Sequence, residues 1–207
     1  MYAAFPMRSD NELLGAWRDG DARSGKELFE RHFVALRRFF GNKVDLPEVE
    51  DLMQRTFMGC LEAVERFRGD ASFRTFLFAI ARRQLYKHFR DQRVKDGRRA
   101  DDLSVTSVAE LGRTPSSILG ARQEGEMLLL ALQRISVDHQ TVLELHYWEQ
   151  LGTEDIAAIC DIAPPTVRTR LHRARHALRV VLEAEMVARG KSMHGFDLDA
   201  AAVAAKP

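Results

Sequence analysis

The stretch Asp51–Arg90, DLMQRTFMGCLEAVERFRGDASFRTFLFAIARRQLYKHFR, constrains the fold more than any other part of the chain. Two amphipathic runs flank one polar turn. In the first, Leu52, Met53, Phe57, Cys60, Leu61 and Val64 recur at helical spacing and call for a buried apolar stripe. In the second, Phe73, Phe76, Leu77, Ile80, Ala81, Leu85 and Phe89 do the same. Between them, Phe67-Arg68-Gly69-Asp70-Ala71-Ser72 breaks both patterns. Gly69 and Asp70 are turn residues, and Ser72 can cap the second helix. A loop this short makes the helices fold back on each other.

The off-core face of the second run carries Arg74, Phe78, Arg82, Tyr86 and Arg90, spaced four apart, with Arg83 and Lys87 beside them. Guanidinium groups pair with phosphates, and aromatic faces stack unpaired bases without needing a particular sequence. Two readings are open on these residues alone. One is a surface for nucleic acid; the other is a solvated basic face with Phe78 and Tyr86 tucked against a neighbouring helix.

Charge is strongly polarised along the chain although the net charge is only +1. From Arg82 to Arg99, six Arg and two Lys face Asp91 and Asp96, a balance of +6. Ser136–Ala163 holds six acidic residues (Asp138, Glu144, Glu149, Glu154, Asp155, Asp161) and no Lys or Arg. Pro164–Arg179 holds five Arg and no carboxylate. Such blocks imply several separate contact surfaces. Cys60 and Cys160 lie far apart in apolar helical patterns, which predicts buried thiols in a reducing compartment, with no disulfide framework. The start, MYAAFPMRSD, is too short and too weakly apolar for a signal peptide, and no apolar run approaches the ~20 residues that span a bilayer. A soluble, cytoplasmic protein without membrane insertion is expected.

The periodicity predicts an all-α protein of two small helical domains joined by a flexible linker. Residues 8–95 read as a four-helix domain. A short helix, Asn11–Arg18, follows Asp10 as its cap; Ser24–Phe40 has Leu28, Phe29, Phe33, Leu36 and Phe40 inward; Pro47 opens the third helix; the fourth runs from Ser72 to about Val94. Residues 96–121 lose all periodicity and read as the linker, with almost nothing to bury. Residues 122–188 read as a second helical domain, and 189–207, Ala-rich and without a core pattern, as a flexible C-terminal tail.

Within the second domain, TEDIAAICDIAPPTVRTRLHRAR, Thr153–Arg175, has the layout of a helix-turn-helix. Ile156, Ala157 and Ile159 pack its first helix, Ile162 anchors the turn, and Val167 and Leu171 pack its second. The exposed positions of that second helix are Thr166, Arg168, Thr169, Arg170, His172, Arg173 and Arg175. An Arg-rich helix fits the DNA major groove, where Arg bonds guanine edges bidentately. An ordinary helical hairpin with a basic outer face would mix charge signs, and this face carries no carboxylate. Catalytic signatures are missing: there is no Gly-rich phosphate loop, HExxH or nucleophile triad. His139 and His146 can share a helix face but lack a third metal ligand. No catalytic residue, metal or cofactor is expected.

Together the two motifs resemble an extracytoplasmic-function (ECF) sigma factor, the small two-domain class of bacterial transcription initiation factor. DLMQRTFMGCLEAVERFRGDASFRTFLFAIAR looks like that family's region two, and LQRISVDHQTVLELHYWEQLGTEDIAAICDIAPPTVRTRLHRARHALR like its region four. The resemblance implies a non-enzymatic subunit that binds core RNA polymerase, directs it to promoters and opens them. It implies that Asp51, Gln54 and Phe57 dock on the clamp helices of the polymerase β′ subunit. Phe67, Arg68, Gly69, Asp70, Ser72 and Phe73 match the loop that captures a base flipped from the minus-ten element. Arg74, Phe78, Arg82 and Tyr86 would then hold the melted strand. Glu154, Thr166, Arg168, Thr169, His172 and Arg173 match positions facing the minus-thirty-five element. The apolar start of the second domain, with Tyr147 and Trp148 nearby, matches the surface for the β-flap tip, and control by an anti-sigma factor is expected. An alternative on the helix-turn-helix alone is a free-standing transcriptional regulator, but the first half shows neither a heptad seam nor an effector pocket. Two departures stand out. The family often has Trp where this chain has Phe76, and Pro164-Pro165 stands where a small residue and Gly are common, removing a backbone N–H near the helix start.

Overall fold

Local rules place the first four helices. The computed structural model describes residues 8–67, 69–95, 104–111, 123–190, 197–204 and 206. Helix α1 spans Asp10–Arg18, α2 Ala22–Gly41, α3 Leu46–Ala63 and α4 Phe73–Lys95. Ser9, one residue before the expected cap, closes a reciprocal pair with Glu12: the Glu12 N–H donates to Ser9 Oγ at 3.3 Å, and the Ser9 N–H donates to the Glu12 carboxylate at 2.6 Å. That frees Asp10 to tie α1 to α2, accepting from Arg31 and facing His32 Nε2, each at 2.6 Å. Pro47 sits in the first turn of α3, where its missing N–H costs nothing. Ser72 caps α4 as expected, its Oγ accepting the Thr75 N–H at 3.0 Å.

Leu13, Leu28, Leu36, Phe40, Leu52, Leu77 and Leu85 are fully buried where these helices meet. The Trp17 ring lies so close over Gly25 that a Cβ there would stand 2.7 Å from it. Phe73 is enclosed by Trp17, Phe29, His32 and Phe76 at centroid distances of 5.6–6.4 Å. Phe33, expected inward, is 45% exposed instead; it lines an open apolar groove with Phe57 and Leu61.

The second domain comprises α5 Gln123–Leu132, α6 Val137–Tyr147, α7 Thr153–Cys160 and α8 Pro164–Ala188. Ser136 caps α6. Asp161 turns α7 into α8 in the left-handed region, φ 54° and ψ 51°, which a short polar side chain tolerates. Val167, Leu171, Ala174, Leu178, Leu182 and Met186 form the buried stripe of α8. Among the described residues there is no strand, only one isolated bridge between Ser107 and Ser136.

Two stretches that read as unpacked carry docked segments. Residues 104–111, inside the stretch read as linker, dock on the second domain. Val108 is fully buried, the Val137 N–H donates to Thr106 O at 2.9 Å, and the Ala109 N–H donates to Gln133 O at 2.9 Å. One valine and a few backbone bonds suffice, too little to leave a periodic signal. The tail also carries structure: α9, Leu198–Ala204, packs on α5 and α6 and buries Leu198 and Ala202. It is held by tertiary contacts to Trp148 that its own composition does not announce. The two domains themselves are closed on each other around one continuous apolar cluster.

Candidate nucleic-acid interface

The helix-turn-helix presents its polar face outward. Glu154, Thr166, Arg168, Thr169, His172 and Arg173 are all exposed, on α7 and the first half of α8. Thr169 Oγ1 donates to Pro165 O at 3.2 Å, satisfying a carbonyl within the first turns. Pro164 and Pro165 occupy the first positions of α8, so neither supplies a backbone donor there. The polar groups this helix start offers to solvent are therefore mainly side chains. Arg170 is turned aside and pairs with Asp138 at 2.7 Å.

The loop between α3 and α4 forms a second concave surface. Phe67 stacks on Phe76 with centroids 4.5 Å apart, and both line a pocket of about 470 Å³ with Ala63, Arg66, Asp70 and Ala71. Gly69 holds φ at 82°, a conformation that favours glycine. Asp70 and Ser72 are exposed; Arg68 lies outside the described residues. Phe73, expected in the base-capturing loop, is 0% exposed and belongs to the core, because it begins α4 on its inner face.

On α3, Asp51 pairs with Arg55 at 2.8 Å, and both border a shallow pocket with Gln54, Met58 and Lys87. Phe57 lies on the neighbouring face, packed on Phe29 with centroids 4.6 Å apart. Met58 and Leu61 are 51% and 47% exposed, so this side of α3 offers both apolar and charged groups.

The Arg74–Phe78–Arg82–Tyr86 stripe is where the structure departs most from expectation. Phe78 is fully buried against Phe39, centroids 5.5 Å apart. It is a core residue, not a stacking platform. The other three face the second domain, which covers them. Arg74 pairs with Glu149, and Arg38 pairs with the same carboxylate at 2.5 Å. Arg82 lies 4.0 Å over the Tyr86 ring and 3.5 Å from Asp138, to which the Tyr86 hydroxyl also donates. Burial pushes the Tyr86 phenol well above its ordinary pKa. Thr75 Oγ1 donates to Asp155 at 2.7 Å. Deeper still, Lys43 and Glu144 form a fully enclosed ion pair, and Lys43 Nζ donates to Phe39 O at 2.9 Å. Burial holds the Lys43 ammonium below its usual pKa and raises the Glu144 carboxyl, each opposed by the partner's charge.

The surface around Tyr147 and Trp148 is also occupied. The Trp148 indole donates to Ala202 O at 2.6 Å, Lys206 Nζ donates to Trp148 O at 2.5 Å, and Tyr147 bonds Asp199. Only 3% of Trp148 is exposed. None of these partners was legible in sequence, since Asp199 and Ala202 sit in an alanine-rich segment without a pattern of its own.

Residues 28–95 match the model of sigma-70 region 2, and residues 125–178 that of sigma-70 region 4. The RNA polymerase sigma-H factor of Pseudomonas aeruginosa is 31% identical over 190 residues, covering 86% of this chain and 95% of its own length. The ECF RNA polymerase sigma-E factor of Escherichia coli K12 is 26% identical over 180 residues, covering 82% and 92%. The chain belongs to the ECF sigma factors. Such a sigma factor is a non-enzymatic transcription initiation factor that binds core RNA polymerase and promoter DNA. The two matches in one chain also remove the reading as a free-standing regulator. Two solved structures share the fold. CnrH, solved with the cytosolic domain of CnrY, has a TM-score of 0.61 at 22% identity, covering 84% of this chain and 97% of its own. The sigma factor RpoE of Bartonella quintana, solved with the anti-sigma factor NepR, has a TM-score of 0.58 at 25% identity, covering 76% and 95%. Among the described residues, no cluster of His, Cys, Asp and Glu is placed to hold a metal, and no helix is long and apolar enough to cross a membrane.

Proposed function

We propose that this sigma factor reads the minus-thirty-five element with the exposed face of α7 and α8, through Glu154, Thr166, Arg168, Thr169, His172 and Arg173. The observation that carries the reading is that all six stand solvent-exposed on one helix-turn-helix, five of them on a helix whose proline start supplies no backbone grip. Phe67, Gly69, Asp70 and Ser72 border the pocket that takes a flipped minus-ten base, where unstacking costs a few kcal/mol that contacts must offset. Arg74, Arg82 and Tyr86 hold the melted strand once uncovered. Asp51, Gln54 and Phe57, with exposed Met58 and Leu61 beside them, meet the β′ clamp helices. A β-flap contact at Tyr147 and Trp148 requires α9 to leave. An anti-sigma factor is the expected outside control, as in the solved complex of the Bartonella quintana relative. The site of action is the cytoplasm, with the polymerase.

The test is promoter binding by holoenzyme assembled on core polymerase, over a library of upstream elements. Arg168→Ala and Arg173→Ala are each expected to weaken binding by ~1–3 kcal/mol and relax preference at one base pair. Unchanged affinity and preference in both variants would refute the assignment.

A further inference from the structure

The acidic block Ser136–Ala163 has a use that promoter recognition does not call on. Four of its carboxylates reach across the domain boundary: Glu144 takes Lys43, and the other three take cations and hydroxyls of α4, with Glu149 taking Arg38 of α2 as well. Glu149 takes Arg74, Asp155 takes Thr75, and Asp138 takes Arg82 and Tyr86. Asp138 also takes Arg170 of the recognition helix at 2.7 Å, so one carboxylate ties together groups from both domains. Carboxylate and phosphate present the same acceptor geometry to a guanidinium. A strand of nucleic acid lying along α4 would need the positions these oxygens now fill. Absence of any Lys or Arg from Ser136–Ala163 is what a surface imitating phosphates requires.

We infer that the acidic face of α6, α7 and the turn between them is an internal substitute for promoter phosphates, which masks α4 in the free chain and yields it when the domains part. The inference rests on the assignment of the α4 stripe to nucleic acid. It makes the free sigma factor a poor ligand for single strands, because only the open fraction binds and the apparent affinity falls by that fraction. Polymerase, which holds the two domains apart on separated promoter elements, would supply the work of opening.

The experiment uses the full chain carrying Asp138→Asn, Glu149→Gln and Asp155→Asn together. Binding of a short labelled single-stranded oligodeoxynucleotide is measured by fluorescence anisotropy, and shape by small-angle X-ray scattering. A charge-matched control carries Glu50→Gln, Glu65→Gln and Glu183→Gln at exposed positions away from the boundary. Expected are a larger radius of gyration and binding on the order of tenfold tighter for the first variant only. Adding Arg74→Ala and Arg82→Ala should abolish the gain. Equal gains in the control, or unchanged binding whether or not the variant opens, would overturn the mask. The α4 assignment is judged separately, by Arg74→Ala and Arg82→Ala in open-complex formation with core polymerase. Impaired opening there, without any gain from the acidic variant, would leave the assignment standing and the mask refuted.

Discussion

Lys43→Met removes half of an ion pair that has no access to water: the side chains of Lys43 and Glu144 are 0% and 2% exposed. After the substitution, Glu144 keeps a hydrogen bond from Gln140 Nε2 at 2.8 Å but no counter-charge. Leaving one member of a buried pair uncompensated costs about 3–5 kcal/mol, or roughly a factor of 10² to 10³·⁵ in an equilibrium constant. The chain has two ways to avoid that loss. Glu144 can take up a proton, which burial already favours, or the domains can open and return it to water. The measured loss of stability is therefore limited by the free energy of closure, and any excess appears as opening. Lys43→Met combined with Glu144→Leu removes both charges and is expected to be neutral or more stable by ~1–4 kcal/mol. Urea denaturation followed by circular dichroism gives the double-mutant cycle, and scattering reports opening. The sign of the pH effect follows from the raised carboxyl: in Lys43→Met the native state binds more protons than the unfolded chain, so stability rises as pH falls. A Lys43→Met variant within ~0.5 kcal/mol of the parent, unchanged in shape and indifferent to pH, would refute the reasoning.

Gly25→Ala drives a Cβ to within 2.7 Å of the Trp17 ring and should cost about 1–3 kcal/mol through overpacking between α1 and α2, read as a lower Tm. Asp10 is partly buried, which alone would raise its pKa, but His32 and Arg31 outweigh burial and hold it below the ordinary aspartate value of 3.8. Its contribution is present above that value and lost as pH falls through the depressed one, so Asp10→Asn should flatten the acid limb of the stability curve. Burial raises the thiol pKa to about 12 at Cys60 and about 11 at Cys160. Both should resist a thiol reagent in the native chain, and Cys160, beside Arg82 at the boundary, should react faster in the opened acidic variant.

Much of the fold was legible because its signals are local. The stripes of α3, α4 and α8, Ser72 as a cap and Pro47 in a first turn need only residues a few positions apart, although Leu61, expected in the buried stripe of α3, is 47% exposed. The exposed basic face of α8 was legible for the same reason: a stripe on one helix with no carboxylate among its cations. What failed required knowledge of distant partners. Phe78 stands four residues from Arg74 and Arg82, and the spacing alone could not say that α4 turns this position onto Phe39. Lys43 and Glu144 are separated by 101 positions and Arg38 and Glu149 by 111, and no periodicity spans such a gap. Val108 and α9 are minor burials, each fixed by its docking site and not by a pattern of its own.

The hydrogen bond from the Trp148 indole to Ala202 has a practical consequence for anyone following this molecule in solution. The chain has two tryptophans, one in each domain. Trp17 is fixed within the first bundle by Phe29 and Phe73, whereas the Trp148 indole is bonded to α9, which packs on the second domain. One is thus a reference lamp and the other a natural optical probe of the C-terminus, with no dye to attach. With Trp17 replaced by Phe, a red shift of the remaining emission during polymerase loading would time the departure of α9 directly.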